Sequence, residues 1–398
     1  MLKMSSRKQK VLILGGGFGG IKTALELSDD ERYSVTVLSD QADFRYYPAL
    51  YHSATGGDAK ASSIPLAEIF ADHDVSVVRD SARKLKRDTK SVECVSGRSY
   101  SYDLLVVALG VVTNYFGIKG LQKYSFGIKS QEEARELRDH LHQQIADKHE
   151  PDLNYVIIGG GATGVELAGV LPFYLKRIMN KHMLPAKKIH IDLVEGENRV
   201  MPRMPKPYSA AVQRRLRRLG IELRLGQKVE AETADGLMLS GHPLSSHSVI
   251  WTAGVTSHPF LASNKFNLNE RGKVLISELM QAEDDVYVIG DNAGTPYSGM
   301  AQTALYDARF VADNLKRLAR GTSPRPYKPR KPVYVTPVGP YWSAVQWGQL
   351  HLYGRIGWTL REAADLVGYH DLQPWWPAYK HWAASNSEAE FCAICLHS

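Results

Sequence analysis

Tyr155-Val-Ile-Ile-Gly-Gly-Gly-Ala-Thr-Gly-Val-Glu-Leu-Ala-Gly169 decides the fold. Tyr155 to Ile158 is a short apolar run, rich in β-branched residues, of the kind that forms a buried strand. Gly159-x-Gly161-x-x-Gly164 follows at once, and then a helical segment from about Thr163 to Met179. Each glycine answers a separate demand: Gly159 a tight turn, Gly161 the approach of backbone to a pyrophosphate, Gly164 the packing of helix on strand. Ala162 and Thr163 lie between them, where the positive end of the helix favours phosphate. The motif is weak alone, but strand, turn and helix in this order make it a dinucleotide site.

The chain carries the pattern twice. Lys10-Val-Leu-Ile-Leu14 runs into Gly15-x-Gly17-Phe18-Gly19-Gly20 and a second helical run to Ser28. Both glycine triplets are intact, which argues for two working sites over a duplication with one decayed copy. The economical pair is a flavin dinucleotide and a nicotinamide dinucleotide, with hydride passing between them. The expected fold class is therefore α/β, with two Rossmann-like dinucleotide-binding domains and a small C-terminal region.

At 398 residues, with 44% hydrophobic and 23% charged residues, the chain suits a folded protein of two or three domains. Its net charge of +7 points to anionic neighbours: nucleotide, nucleic acid or acidic lipid. No apolar run reaches the length of a membrane span. The basic N-terminus (Lys3, Arg7, Lys8, Lys10) leads into the first strand and is not read as a signal peptide. Three cysteines, Cys94, Cys392 and Cys395, form no disulfide framework, which suits a reducing compartment. No spacing of ligands predicts a metal.

In chain order, Ser34-Val-Thr-Val-Leu-Ser39-Asp40 closes the first β-α-β unit. Ser39 stands in the slot for a ribose-binding carboxylate, with Asp40 one residue later. The aromatic stretch Phe44 to Gly56 suits either a flat ring system or a core loop, and it lacks the paired cysteines of a disulfide reductase. Tyr102 to Gly110 reads as a buried strand, with Ala108 and Gly110 at its cofactor end. Gln131 to His149 reads as an amphipathic helix, Glu132 and Glu133 near its start and Lys148 near its end, and Pro151 punctuates the chain. The second unit's own second strand ends at Glu195, a carboxylate that binds ribose hydroxyls and repels a 2′-phosphate, with Arg199 close enough to offset it. Arg214-Arg-Leu-Arg-Arg218 is a basic helix face, expected to be solvated, with no nucleic-acid motif beside it. Val249 to Val255 ends a strand at Ala253 and Gly254, where nicotinamide could lie. Asp285 to Asp291 returns to a buried strand whose end, Gly290-Asp291, suits a ribityl hydroxyl, ahead of a helix that starts near Ala301. Thr322 to Pro332 reads as a linker. Six of the seven tryptophans follow, at 342, 347, 358, 375, 376 and 382, among Arg330, Lys331, Arg355, Arg361 and Lys380. That mixture suits a lipid interface, or equally internal packing or a dimer face. Cys392-x-x-Cys395 reads as a tail.

Together GGGFGG (15–20), YDLLVVALG (102–110), TNYFGIKG (113–120), GGGATGVELAG (159–169), WTAGV (251–255) and VIGD (288–291) resemble the type II NADH dehydrogenases, single-subunit NADH:quinone oxidoreductases. The resemblance runs from about Lys10 to Asn314. It implies a discontinuous FAD domain (1–118 and 286–330), an inserted NADH domain (119–285) and a C-terminal membrane-association or dimerisation region (331–398). It implies FAD at Gly15, Gly17, Gly20 and Asp291, NADH at Gly159, Gly161, Gly164 and Glu195, and Glu166 as the carboxylate near nicotinamide and quinone. The family's quinone motif, AQxAxQxG, reads here Ala301-Gln302-Thr-Ala-Leu-Tyr306-Asp-Ala308, so Gln302 is kept and Tyr306 replaces the second glutamine. The implied partners are a quinone (menaquinone or ubiquinone) and a second copy in a homodimer, and the implied location is the cytoplasmic face of a membrane, peripherally. An NADH-sensing flavoprotein resembling apoptosis-inducing factor, or a reductase of another acceptor, is the alternative.

Overall fold

A computed structural model describes residues 7–147, 152, 154–184 and 189–387. Lys3, Lys148, His149, Pro151, Cys392 and Cys395 lie outside the described residues.

The first part of the chain contributes β1 (Gln9–Leu14), α1 (Phe18–Ser28), β2 (Tyr33–Ser39), β3 (Val75–Arg79) and β4 (Leu104–Val107). Then come α2 (Gln131–His142), β5 (Tyr155–Ile158), α3 (Ala162–Lys181), β6 (Ile191–Glu195), α4 (Lys206–Arg218), β7 (Ile221–Leu225) and β8 (Ser248–Trp251). The chain returns through β9 (Gln281–Glu283), β10 (Val286–Val288) and α5 (Ala301–Leu318). It ends in a hairpin sheet, β11 (Tyr334–Pro337), β12 (Ser343–Trp347) and β13 (Leu350–Gly354), followed by α6 (Arg355–His370) and α7 (Trp375–Ser385). The fold is mixed α/β with two Rossmann-like parallel sheets.

One sheet has the order β9-β10-β4-β1-β2-β3, parallel except for the β9–β10 pair. The other, β7-β6-β5-β8, is parallel throughout. Strands β4 and β5 are buried at every position, as continuous apolar runs between two helical layers must be. The segment between the two parts of the first sheet leaves and returns at a paired crossing. Val111–Thr113 on the way out pairs antiparallel with Val255–Ser257 on the way back. The return to the first core comes ahead of residue 286: Phe260, Leu261, Phe266, Val274 and Met280 already pack into it.

Helix α2 starts with a capping box, Ser130 Oγ accepting from Glu133 N at 3.1 Å and Glu133 taking the Ser130 N–H in return. It ends at His142, earlier than the periodicity predicts, and passes into a π turn over Gln143–Asp147. Arg215 in α4 is not merely solvated. It donates to the Val338 and Pro340 carbonyls of the C-terminal segment and lies 5.9 Å from the Trp342 ring centroid.

The C-terminal region spans both units. Tyr208 in α4 donates to Thr336 Oγ1 and the Ala344 carbonyl, and a Cβ at Gly169 of α3 would stand 2.5 Å from Gly339 N. On the other side Tyr369 donates to the Ala61 carbonyl and stacks on Tyr46 at 4.0 Å, while His381 bonds Lys60 O and Glu68. The expected linker is a pinned strap: the Asn314 amide brackets Arg325 from both sides, and Tyr327 donates to Asp307.

Candidate functional site

The two glycine loops are built alike. Gly15 and Gly159 both take φ of +112°, a region open to glycine, where each loop turns off its strand. A Cβ on Gly20 would strike the Gly15 carbonyl, and one on Gly164 the Gly159 carbonyl, so each third glycine lets helix meet loop. At Gly17 and Gly161, by contrast, an added Cβ meets nothing within 4 Å. That open space lies at the N-terminus of a helix with no side-chain cap and no acidic residue in its first turn. The unpaired N–H groups are left to a ligand, and the donor set fits a pyrophosphate at both places.

The second strands differ as the sequence predicts. Glu195, ending β6, accepts from Gly160 N at 2.7 Å and Glu197 N at 2.9 Å, which fixes its carboxylate beside the loop. Ser39 is its counterpart, buried, its Oγ 2.8 Å from where a Cβ on Gly16 would sit. Asp40 is exposed and turned toward Arg45, 4.0 Å away, so Ser39 and not Asp40 faces the first loop. Arg199 is engaged elsewhere, donating to the Met204 and Pro202 carbonyls.

Around the first loop, Phe18 and Gly19 are core residues; Phe18 meets Phe44 edge-on at 4.8 Å. The aromatic stretch therefore serves the core through Phe44 and Tyr46, while Tyr47 stays exposed beneath Lys129 Nζ at 5.7 Å. Ala108 closes over Gly15, and Gly110 is locked to Asn292 by two hydrogen bonds of 2.9 and 2.7 Å. Gly290 donates to Asp307, whose buried carboxyl is pushed up to about 6 by burial, against the pull of Tyr327. Among the described residues no side chain bonds the Asp291 carboxylate, while burial depresses the nearby Lys129, against the pull of Asp291 and Glu133. On the second unit, Ala253 N comes 2.9 Å from the Cβ position of Gly159, and Gly254 packs against Phe116.

This duplicated cradle accords with the comparisons. A model of the pyridine nucleotide-disulphide oxidoreductase family matches residues 9–308. The chain belongs to that family. The motif resemblance is supported as well. A type II NADH:quinone oxidoreductase of Staphylococcus saprophyticus is 28% identical over 343 residues, covering 80% of this chain and 84% of that protein. The Staphylococcus aureus protein of the same name is 27% identical over 344 residues, 80% and 85% of the two chains. In fold, NDH2 from Plasmodium falciparum in complex with NADH superposes with a TM-score of 0.83 at 17% identity, over 95% of this chain and 97% of that one. A sulfide:quinone oxidoreductase from Aquifex aeolicus gives 0.78 at 19% identity, over 95% and 92%. As a member of this family the chain is a flavin oxidoreductase using FAD and NADH. Among the described residues Cys94 is the sole cysteine, buried, its thiol pushed up to about 11 by burial.

One carboxyl on the helix that leaves the second loop stands out for its electrostatics. Glu166, one turn into α3, is half-buried, and burial pushes its carboxyl up to about 8, with Arg361 opposing and Asp365 adding to the rise. Arg361 and Asp365, one turn apart in α6, pair at 2.5 Å. Asp365 also accepts from Tyr46 Oη at 3.3 Å, and Arg361 donates to the Pro48 carbonyl. Burial works against the Arg361 charge, but the paired Asp365 outweighs it and keeps the guanidinium charged. Arg361 is therefore not a membrane-facing cation. Neither it nor Asp365 stands in any motif; the only signal was one charge pair at helical spacing in a tryptophan-rich stretch. Of the expected quinone residues, Gln302 accepts from Val333 N at 2.8 Å, and Tyr306 lies under Arg330 at 5.7 Å on the outer flank of α5. No group of metal-ligating side chains occurs among the described residues.

Proposed function

We propose that the protein passes electrons from NADH through FAD to a quinone drawn from a membrane surface. The observation that carries this is the pair of open glycine cradles on one chain, together with Glu166 as a proton-bearing carboxyl on the helix that leaves the second cradle. We assign FAD to the first sheet (1–118 and 286–330, with the return strands before 286) and NADH to the inserted sheet (119–285). Gly15, Gly17, Gly20, Ser39 and Asp291 hold the flavin dinucleotide. Gly159, Gly161, Gly164 and Glu195 hold the nicotinamide dinucleotide, with Ala253 and Gly254 beside the nicotinamide. Glu195 selects NADH by repelling a 2′-phosphate, and Arg199 does not offset it because backbone carbonyls occupy its guanidinium.

When bound, the flavin accepts hydride from nicotinamide and yields two electrons to the acceptor. The chain's own part is positioning and proton supply. Glu166 is protonated at neutral pH and can hand a proton to a reduced quinone oxygen, with Arg361 steadying the carboxylate left behind. Gln302 and Tyr306 sit at the start of α5, with Tyr306 on its outer flank.

Support for a lipid surface comes from Trp347, Trp375 and Trp376, which remain 59%, 56% and 66% exposed. No helix among the described residues is long and apolar enough to cross a membrane, so association through this face is peripheral. Two other tryptophans serve packing: Trp382 Nε1 donates to the Glu362 carbonyl, and Trp342 stacks toward Tyr353 at 6.2 Å. A sulfide oxidation route fares worse, because Cys94 has no described cysteine beside it.

The test is stopped-flow: NADH added to the oxidised protein, followed by menaquinone or ubiquinone analogues. Fast flavin bleaching and fast reoxidation by quinone support the proposal. A long-lived charge-transfer band that quinones do not discharge would instead indicate an NADH sensor.

A further inference from the structure

Helix α5 buries Thr303, Ala304, Asp307, Ala308 and Val311 and turns its other flank outward. Between that flank and the strap 322–330 lies a cleft of about 910 Å³. Its walls are cationic. Arg317 and Arg320 come from the end of the helix, and Arg325, Lys328 and Arg330 from the strap. Among the described residues none of these five pairs with a carboxylate. Arg309 and Lys316 also line the space, but Asp371 and Glu26 engage them. A single carboxylate, Asp313, faces the same volume.

The floor is aromatic. Phe310 meets Tyr327 edge-on at 5.0 Å, and the Arg330 guanidinium lies 5.7 Å above Tyr306. A neutral quinone could use that floor but would leave five cations without a counter-charge. A phosphate diester carrying apolar chains uses both. The cleft also connects to the exposed tryptophans: Arg309 pairs with Asp371 at the end of α6, and the adjacent His370 stacks on Trp375 at 3.6 Å.

We propose that this cleft seats the headgroup of an anionic phospholipid, its phosphate held by Arg320, Arg325 and Lys328 and its chains passing to the Trp375 and Trp376 face. The assignment rests on the quinone reading, because a lipid-dissolved acceptor is what brings the protein to a bilayer. The shared chemistry is phosphate, and a free polyphosphate is the competing source.

The full-length flavoprotein is sedimented with phosphatidylcholine vesicles made with and without phosphatidylglycerol, beside an R320S/R325S/K328S variant. Near a charged surface each cation is worth about five-fold in partitioning, so the variant should bind anionic vesicles about 100-fold more weakly. Its binding should also lose most of its salt dependence. Flavin reduction by NADH should be unchanged, since none of the three side chains approaches either cradle. Undiminished binding of the variant to anionic vesicles overturns the proposal. So does tight, variant-sensitive binding of tripolyphosphate in calorimetry, which would make the ligand a soluble phosphate. The two readings fail separately: wild type that binds anionic vesicles through these residues but reduces no quinone leaves the cleft standing and removes the acceptor.

Discussion

Glu166 is a carboxyl that stays protonated through neutrality, and the sign of its pH effects follows. As a proton donor it works below about pH 8 and fails above it. Quinone-dependent reoxidation should fall as pH rises through 8, and Glu166→Gln should abolish that limb while leaving NADH-to-flavin reduction intact in the stopped-flow trace. The same raised value means that the folded state binds a proton the unfolded chain gives up near its ordinary 4.5. Stability from this group is therefore present at low pH and declines between about 4.5 and 8. Glu166→Gln should raise the melting temperature relative to wild type at pH 9 and not at pH 4. At Gly17 an added Cβ would meet nothing within 4 Å, in the space we assign to a phosphate. Gly17→Val should thus fold and remain colourless; full flavin absorbance in the purified variant would sink the FAD assignment. Glu195→Ser should move the NADPH:NADH ratio of kcat/KM by about ten-fold, or about 1.4 kcal/mol. A wild type that already prefers NADPH contradicts the role given to Glu195.

Helix α6 is held at one buried charge pair. Removing Arg361 strands Asp365 without a counter-charge, a loss that typically costs about 3–5 kcal/mol. Arg361→Met should lower thermal stability by that amount, and Arg361→Met with Asp365→Leu should recover most of it in the same melting assay. The single substitution also strips Glu166 of a neighbouring cation, so its carboxyl should rise further and the alkaline limb of quinone reoxidation move up. This element marks where sequence reading stops. The cradles at Gly15 and Gly159 were legible because strand, turn and helix are contiguous and every demand is local. Ser39 and Glu195 were legible by position at a strand end, although Asp40 competed with Ser39 until the direction of its side chain was known. Arg361, Asp365 and Tyr46 come together from segments more than 300 residues apart, and nothing local in any of them announces the others. Lys129 and Asp307 escaped notice for the same reason. The strap 322–332 reads as a linker because it has no periodic pattern; the side chains that pin it, Asn314 and Asp307, belong to another element.

At the scale of the molecule, the C-terminal region is structural before it is anything else. Val338 and Ala344 lie in the core of the second unit, and Tyr369, Leu372 and Ala378 in that of the first. Truncation near Thr336 would uncover both cores, so the expected result is insoluble protein, whatever the region does at a membrane. Surface substitution isolates the question. Trp375→Ser with Trp376→Ser removes two exposed rings and no core contact, and should weaken sedimentation with vesicles of either lipid composition while the flavin spectrum stays unchanged. Equal binding with and without the two rings would assign this face to a partner protein or a second copy.

The paired crossing at Val111–Thr113 and Val255–Ser257 has a consequence for how such a molecule can be altered. Antiparallel partners stand about 5 Å apart, so the two ends of the inserted unit form a single socket. A different unit spliced between residues 113 and 255 would have to present two adjacent strand ends there, and also the faces of α3 and α4 on which Val338, Gly339 and Ala344 rest. The inserted segment is therefore joined to the first sheet at one socket, yet it exchanges only together with the C-terminal residues that pack against it.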